Sequence, residues 1–139
     1  MFVKEINEDL VIRLEVGEDI VESLLKVGRE YDIEFAEITG IGASNLIEVG
    51  SYNVSLKKYK SVIFRGELEI TSIMGNLSKQ EDEPYLHLHI TFADENLDLH
   101  GGHLNKAIIS ATCEIVVRRL DGKVGRIYQD EVGLNVFDI

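Results

Sequence analysis

The chain has 139 residues and a mass of 15.6 kDa, with 45% hydrophobic residues, 28% charged residues and a formal net charge of -11 at pH 7. This balance is typical of one folded domain and excludes an intrinsically disordered chain. A single cysteine excludes an internal disulfide and a zinc finger of paired cysteines, and the acidic balance argues against sequence-independent binding to DNA phosphates.

Targeting and membrane signals are weak in this sequence. No apolar stretch approaches the ~20 residues of a membrane helix, and the N-terminus lacks the basic and apolar regions of a signal peptide. We therefore predict one domain over residues 1–139, located in the cytoplasm without membrane contact. Cys113 lies in an apolar run and is predicted to be buried and unreactive.

The first part of the chain predicts a strand followed by a helix. Residues 10–16 alternate between apolar and polar side chains, which is typical of a half-buried strand. Asp19 is a good helix N-cap, and Glu22 follows three residues later as in a capping box. Apolar residues then recur at helical spacing, so we predict an amphipathic helix over residues 19–31.

From residue 35 onward the patterns are those of strands. Gly40 and Gly42 predict a bend or bulge in the first of them. Further predicted strands cover residues 45–52, 59–65, 67–74, 85–92, 97–100, 107–120 and the tail from 133. A second short helix within 101–110 is the alternative for that stretch. One helix followed by a run of strands predicts an α+β domain, with one main amphipathic helix and a mainly antiparallel sheet.

All four histidines lie in one short segment of the chain. They are His87, His89, His100 and His103. His87 and His89 are two positions apart on a predicted strand, so their side chains share a face with a spacing of roughly 6.5–7 Å. Because zinc–nitrogen bonds measure ~2.0–2.1 Å, two such imidazoles can reach one metal ion between them.

The segment 93–96 is typical of a hairpin turn. A tight turn would place Phe92 opposite Leu97 and His89 opposite His100. In that register His103 lies on the other face, unless the chain rotates at the glycine pair that precedes it.

The residues therefore predict a metal site of His87 and His89, with either His100 or His103 as the third ligand. The alternative is a polar sheet face on which the histidines bind no metal. The sequence predicts neither catalytic residues nor a cofactor-binding motif besides this metal site, since the two glycines near residue 41 are too few for a phosphate loop.

Several motifs of the chain occur in the order found in a known family. They are Thr39-Gly-Ile-Gly-Ala43, the stretch 64–77, Leu86-His-Leu-His89, Gly101-Gly-His-Leu104 and the segment 111–116. With these motifs the chain resembles a stand-alone prokaryotic member of the PPC (plant and prokaryote conserved, also DUF296) domain family. The similarity spans about residues 8–137.

The resemblance implies a compact α+β domain with a curved, mainly antiparallel sheet that assembles as a homotrimer. It also implies a metal site of His87, His89 and His103, because His100 does not match a histidine of the family. Imidazole ligands favour a divalent transition metal, with zinc as the first choice. Glu114 matches a recurrent acidic position of the family, to which we assign no role.

Prokaryotic members of this family are described as predicted DNA-binding proteins. This chain lacks the AT-hook of the plant members, and its net charge of -11 disfavours direct contact with DNA. We therefore predict an oligomeric binding or regulatory module rather than an enzyme. Its predicted partners are further copies of the same chain and other proteins. The alternatives are a metal-dependent enzyme acting on a small molecule and a trimer in which the metal is only structural.

Overall fold

A computed structural model describes residues 1–139 without a gap. Its elements are β1 (Phe2–Ile6), β2 (Asp9–Glu15), α1 (Ile20–Glu30), β3 (Ala36–Asn53), β4 (Lys58–Gln80), β5 (Glu83–Ala93), β6 (Leu99–Arg119), β7 (Gly125–Gln129) and β8 (Leu134–Asp138). One helix and eight strands confirm the predicted α+β class. The helix is neither long nor apolar enough to cross a bilayer.

Six strands form one antiparallel sheet in the order β1-β2-β6-β3-β4-β5. The start of β6 also pairs with β5, so the sheet curves until its edge meets one of its own inner strands. The strands β7 and β8 form a separate two-stranded hairpin. This confirms the curved, mainly antiparallel sheet that the resemblance implied.

Three strands are much longer than the alternating patterns predicted. β3, β4 and β6 each continue through stretches that the sequence divides, and β3 accommodates this with irregularities between Gly40 and Gly42 and between Ser44 and Leu46. The alternative helix within 101–110 is wrong, because this segment pairs with both β3 and β5 as part of β6. Pairing with two neighbouring strands outweighs the weak helix propensity of this glycine-containing segment.

The helix begins where the sequence predicts it. The Asp19 side chain accepts hydrogen bonds from the backbone N–H groups of Val21 and Glu22, at 2.8 and 3.1 Å. This cap satisfies two of the donors that a helix N-terminus leaves free. Leu24 and Val27 are fully buried on the face that packs against the sheet.

The core lies between the helix and the inner face of the curved sheet. Phe92, Ile38, Ile73 and Leu88 are among its largest fully buried side chains. Cys113 also lies in this core with no exposed surface, as predicted, and burial raises the pKa of its thiol to about 12. At neutral pH the group is therefore a protonated, apolar filler rather than a nucleophile.

The β5–β6 connection differs from the predicted tight turn. It comprises residues 94–98, and the Asp94 side chain accepts hydrogen bonds from the backbone N–H groups of Asn96 and Asp98. Leu97 adopts a left-handed conformation with φ of 66°. An aspartate side chain that accepts a hydrogen bond from the backbone two residues ahead stabilises a wider loop over a two-residue turn.

The wider loop changes the pairing of β5 with β6. Phe92 lies opposite His100 instead of Leu97, and His89 lies opposite His103 instead of His100. The predicted register is therefore wrong by three residues. The consequence for the histidines is direct, because the register decides which of them share a face.

Candidate metal centre

Three histidines meet on the outer face where β5 pairs with β6. His87 and His89 project from β5, and His103 lies directly across the ladder from His89. Opposite residues of an antiparallel pair share a face, so His103 joins the group without any rotation of the chain. The ring centroids of the three pairs are 5.4, 5.4 and 5.6 Å apart, and the potential ligand atoms lie within 4.8 Å of one another.

The state of these rings suits a transition metal. No ring nitrogen of His87, His89 or His103 is engaged in a hydrogen bond with the protein, whereas that of His100 is. Desolvation by the surrounding side chains, followed by the charges of neighbouring histidines, lowers the pKa of His87 and of His103. Both rings are therefore neutral at pH 7, the form that donates a lone pair to a metal.

The donor set suits a four-coordinate transition-metal ion that binds one further ligand. Three imidazoles would occupy three positions of a tetrahedral ion with bonds of about 2.0–2.1 Å, and they leave the fourth position open. An open position next to a cavity is the arrangement of a site that binds or activates a further molecule.

The position of His87 depends on a close approach between two strands. Gly75 of β4 pairs beside it, and a Cβ built on Gly75 would lie 2.0 Å from the carbonyl oxygen of His87. The buried neighbour Leu88 anchors β5 from the inner side of the sheet. A glycine at position 75 thus allows β4 and β5 to pack at the spacing that sets the His87 ring.

A second glycine makes room for an aromatic ring beside His103. A Cβ on Gly50 would lie 1.9 Å from the hydroxyl oxygen of Tyr59, so the phenol lies across the bare backbone at this position. The Tyr59 ring stands edge-on to the His103 ring, with centroids 6.2 Å apart. Its hydroxyl donates a 2.6 Å hydrogen bond to Asn105 Oδ1, which fixes the ring in place.

The three histidine rings open into a cavity of about 470 Å³. Its remaining wall consists of aromatic, aliphatic and small polar residues from β3, β4, β5, β6, β8 and the β3–β4 turn. They are Gly50, Ser51, Tyr52, Val54, Tyr59, Tyr85, Gly102, Leu134 and Asn135. The volume falls in the range of small-molecule sites.

The β7–β8 hairpin forms one side of this cavity and is held against the sheet by Arg126. The Arg126 guanidinium donates hydrogen bonds to Ser78 Oγ at 2.9 Å and to Asn76 Oδ1 at 2.6 Å. It also stacks between the rings of Tyr85 and Phe137, at 4.7 and 4.2 Å from their centroids. Burial lowers the pKa of Arg126, although the group stays charged at neutral pH.

The fourth histidine and the acidic residue considered in the sequence lie elsewhere. His100 Nε2 is 2.8 Å from Asp94 Oδ2, and its ring packs against Phe64. Glu114 lies opposite Arg13 in the register of β2 and β6, and it lies outside the histidine group.

Sequence reasoning missed most of the residues around the histidines. Tyr85 could have been found, because it lies two positions before His87 on the same strand face. Arg126, Leu134 and Tyr59 carried no such signal, since they are brought to the site by pairing between distant segments.

The comparisons with known proteins agree on family and fold. The family model described as the Plants and Prokaryotes Conserved (PCC) domain matches residues 1–121. A predicted DNA-binding protein from Bacteroides thetaiotaomicron is 31% identical, with 99% of this chain and 96% of that chain covered and a TM-score of 0.96.

Two archaeal structures are similar over nearly their whole length. The metal-containing protein AF0104 from Archaeoglobus fulgidus is 29% identical, with coverage of 99% and 98% and a TM-score of 0.87. A plant- and prokaryote-conserved (PPC) protein from Pyrococcus horikoshii is 25% identical, with coverage of 99% and 94% and a TM-score of 0.87. A search among proteins of curated function gives no match.

Proposed function

Because the chain belongs to the Plants and Prokaryotes Conserved domain family and gathers three free histidines at a cavity, we propose that it is a homotrimeric, metal-containing binding and regulatory module. The observation that carries this proposal is the group of His87, His89 and His103, with potential ligand atoms within 4.8 Å of one another. The proposed metal is a divalent transition ion, with zinc as the first choice. The cytoplasmic location remains a prediction.

The charge distribution supports regulation through protein partners rather than through direct binding to DNA. The chain carries 25 acidic against 14 basic residues. Arg118 and Arg119, the densest arginine pair, form ion pairs with Glu37 and Glu5. Guanidinium groups engaged by carboxylates are less available to phosphates. A similar bacterial protein is described as DNA-binding, and we propose that this chain would act on DNA only through a partner protein.

The outer face of the sheet supports the trimer. A shallow groove on β2, β3, β4 and β6 exposes Val11, Ile41, Met74 and Val116, each to 39–58%. Val11 pairs with Val116, and Thr39 lies between Val116 and Met74, so these four side chains form one continuous row. Ile41 lies beside this row, together with Glu114 and Arg13. Contiguous apolar surface on a small acidic protein is typical of an interface, and a second copy of the chain would cover it.

A metal-dependent enzyme is the second candidate, and the cavity beside the histidines favours it. A metal held by three protein ligands keeps a position at which water or a substrate can bind. In a purely structural site a fourth protein ligand would occupy that position. A crystal structure of the metal-loaded protein discriminates between the two, since the fourth ligand is either a protein atom or a molecule from the cavity.

The metal centre is tested by elemental analysis of protein purified without an affinity tag. We expect one equivalent of zinc or a related ion per chain in the wild type. The His87→Ala/His89→Ala variant should lose most of it, because a single remaining imidazole binds a divalent ion weakly.

His100→Ala is the matched control, since this histidine lies outside the group and is bonded to Asp94. It should retain the metal of the wild type. Equal metal content in wild type and double variant would place the ion elsewhere, and no metal in the wild type after incubation with zinc would refute the centre.

A further inference from the structure

The cavity next to the three histidines has an unusual charge for this protein. Among 139 residues the chain has 25 aspartates and glutamates, yet none of the twelve residues that line the cavity is acidic. Acidic side chains next to the histidines would have compensated a bound cation. Their absence means that a divalent ion held by three neutral imidazoles would keep its full positive charge.

A fixed positive charge lies behind the cavity wall. The Arg126 guanidinium stacks on Tyr85, with its central carbon 4.7 Å from the ring centroid, and the Tyr85 ring lines the cavity. Its hydrogen-bond partners Ser78 and Asn76 are neutral. Every ion pair in the chain involves other groups, so no carboxylate of the protein neutralises Arg126.

The rest of the cavity wall is suited to the carbon skeleton of an organic molecule. Val54 and Leu134 provide aliphatic surface, and three tyrosine rings provide flat, apolar faces. Two of these phenols are held by the protein, since Tyr52 donates to the carbonyl oxygen of Val132 and Tyr59 donates to Asn105. Their hydroxyl protons are therefore engaged, and the rings act chiefly as rigid surface.

From this combination we propose that the cavity binds a small organic carboxylate, with the carboxylate directed to the open position of the metal and the carbon skeleton packed between the tyrosines and Leu134. The inference rests on the proposed metal centre and names its ligand class. Uncompensated positive charge selects the anionic group, and the apolar wall selects the organic body over an inorganic anion.

The hairpin takes part in this selectivity. Leu134 and Asn135 belong to β8 of the hairpin, and both line the cavity. Arg126 thus has two roles, since it fixes the hairpin that forms one wall and supplies charge next to the ligand. We infer that the size of the accepted carboxylate is set by this hairpin.

The test uses full-length protein loaded with cobalt(II), whose visible absorption reports on the ligands of the metal. Benzoate is the anionic probe, and benzamide and benzylammonium are neutral and cationic probes of similar shape. Benzoate should change the cobalt spectrum in a saturable manner, and the other two probes should leave it unchanged.

Three variants locate the probe. Leu134→Trp fills the cavity from β8 and should abolish the benzoate response while cobalt stays bound. Ile127→Trp, at an exposed position of the same hairpin outside the cavity, is its control and should respond as the wild type. Arg126→Gln should weaken benzoate binding about tenfold, the order expected for one unit charge in a partly buried site.

The outcomes separate this inference from the proposed function. If wild-type protein binds no cobalt, the metal centre itself is refuted, and the inference with it. If cobalt binds but benzoate leaves the spectrum unchanged, only the carboxylate site is refuted. Equal responses to benzoate and benzamide, or an undiminished response in Leu134→Trp, would also overturn it.

Discussion

The four histidines acquire different roles from their immediate partners. His100 forms a hydrogen bond with Asp94 and packs with its ring against Phe64, at a centroid distance of 4.6 Å. His87 and His103 have no such partner, and desolvation keeps them neutral. A histidine that is satisfied by a carboxylate stabilises the β5–β6 connection, whereas one with free nitrogens is available to a metal.

The Asp94–His100 pair predicts a pH dependence of stability. The hydrogen bond from His100, aided by backbone N–H groups of Asn96 and Asp98, lowers the pKa of Asp94 in the folded state. The folded pKa thus lies below the unfolded value of about 3.9. This contribution to stability is therefore present above about pH 4 and is lost as the pH falls through the folded pKa.

Asp94→Asn should consequently destabilise the protein at neutral pH and by a smaller margin in acid. Urea unfolding followed by circular dichroism at pH 7 and near pH 3 measures both margins. Glu95→Gln in the same connection, where Glu95 makes no hydrogen bond, is the control. A difference between wild type and Asp94→Asn that stays constant with pH would contradict the assignment.

At the scale of the elements, strand spacing controls the site. β4 and β5 approach so closely at Gly75 that any side chain there would meet the backbone of His87. Neighbouring strands are held at about 4.8 Å by their hydrogen bonds, so such a clash can be relieved only by moving one strand. The movement would displace one of the three histidine rings.

Gly75→Ala therefore should reduce both stability and metal content. We expect a loss of about 1–3 kcal/mol in the free energy of unfolding, as for other overpacked sites, together with substoichiometric metal. Gly125→Ala is the matched control, because its nearest neighbour would lie at an ordinary 3.8 Å. Chemical denaturation and elemental analysis of both variants make the comparison, and a Gly75→Ala protein with full metal content would disprove the spacing argument.

At the scale of the whole molecule, the two outer surfaces differ in character. The groove around Met74 and Val116 is lined mainly by apolar side chains, with Arg13 and Glu114 among them, whereas the chain as a whole carries 25 acidic against 14 basic residues. Net negative charge keeps copies apart except where apolar area compensates, so we expect association through the groove.

The proposed trimer can be broken by charges in this groove. Wild-type protein should scatter light at micromolar concentration with three times the 15.6 kDa chain mass. Met74→Glu/Val116→Glu should shift the mass toward the monomer, because two added carboxylates would have to leave water when the groove is covered. Ile127→Glu, an equally exposed apolar position on the hairpin, should leave the mass unchanged. A wild-type monomer would refute the proposal.

The net charge of -11 predicts negligible binding to generic duplex DNA at physiological salt. Electrophoretic mobility shifts with a random duplex measure this, at low and at physiological salt. A submicromolar affinity that falls steeply with salt would show a phosphate-binding surface that we do not expect. A mobility shift that appears only when a partner protein is added would support the regulatory role.

The sequence by itself determined the features that depend on neighbouring residues. The cap at Asp19 and the apolar spacing after it define α1, and period-two alternation places His87 and His89 on one face of β5. The burial of Cys113 follows in the same manner from its apolar run. These features depend on residues within one or two helical turns or strand repeats of one another, so a local sequence pattern predicts them.

The residue pattern left His100 and His103 open as the third histidine, and among these two the tertiary structure brings His103 to the pair. The cavity and the continuity of the long strands were likewise decided only by the tertiary structure. The side chain of Asp94 widened the β5–β6 connection, and a three-residue change of register brought His103 opposite His89. Arg126 reached Tyr85 from a hairpin that carries no strong local pattern. Register and packing are set by contacts between segments far apart in the chain, where small differences in loop geometry change every pair that follows.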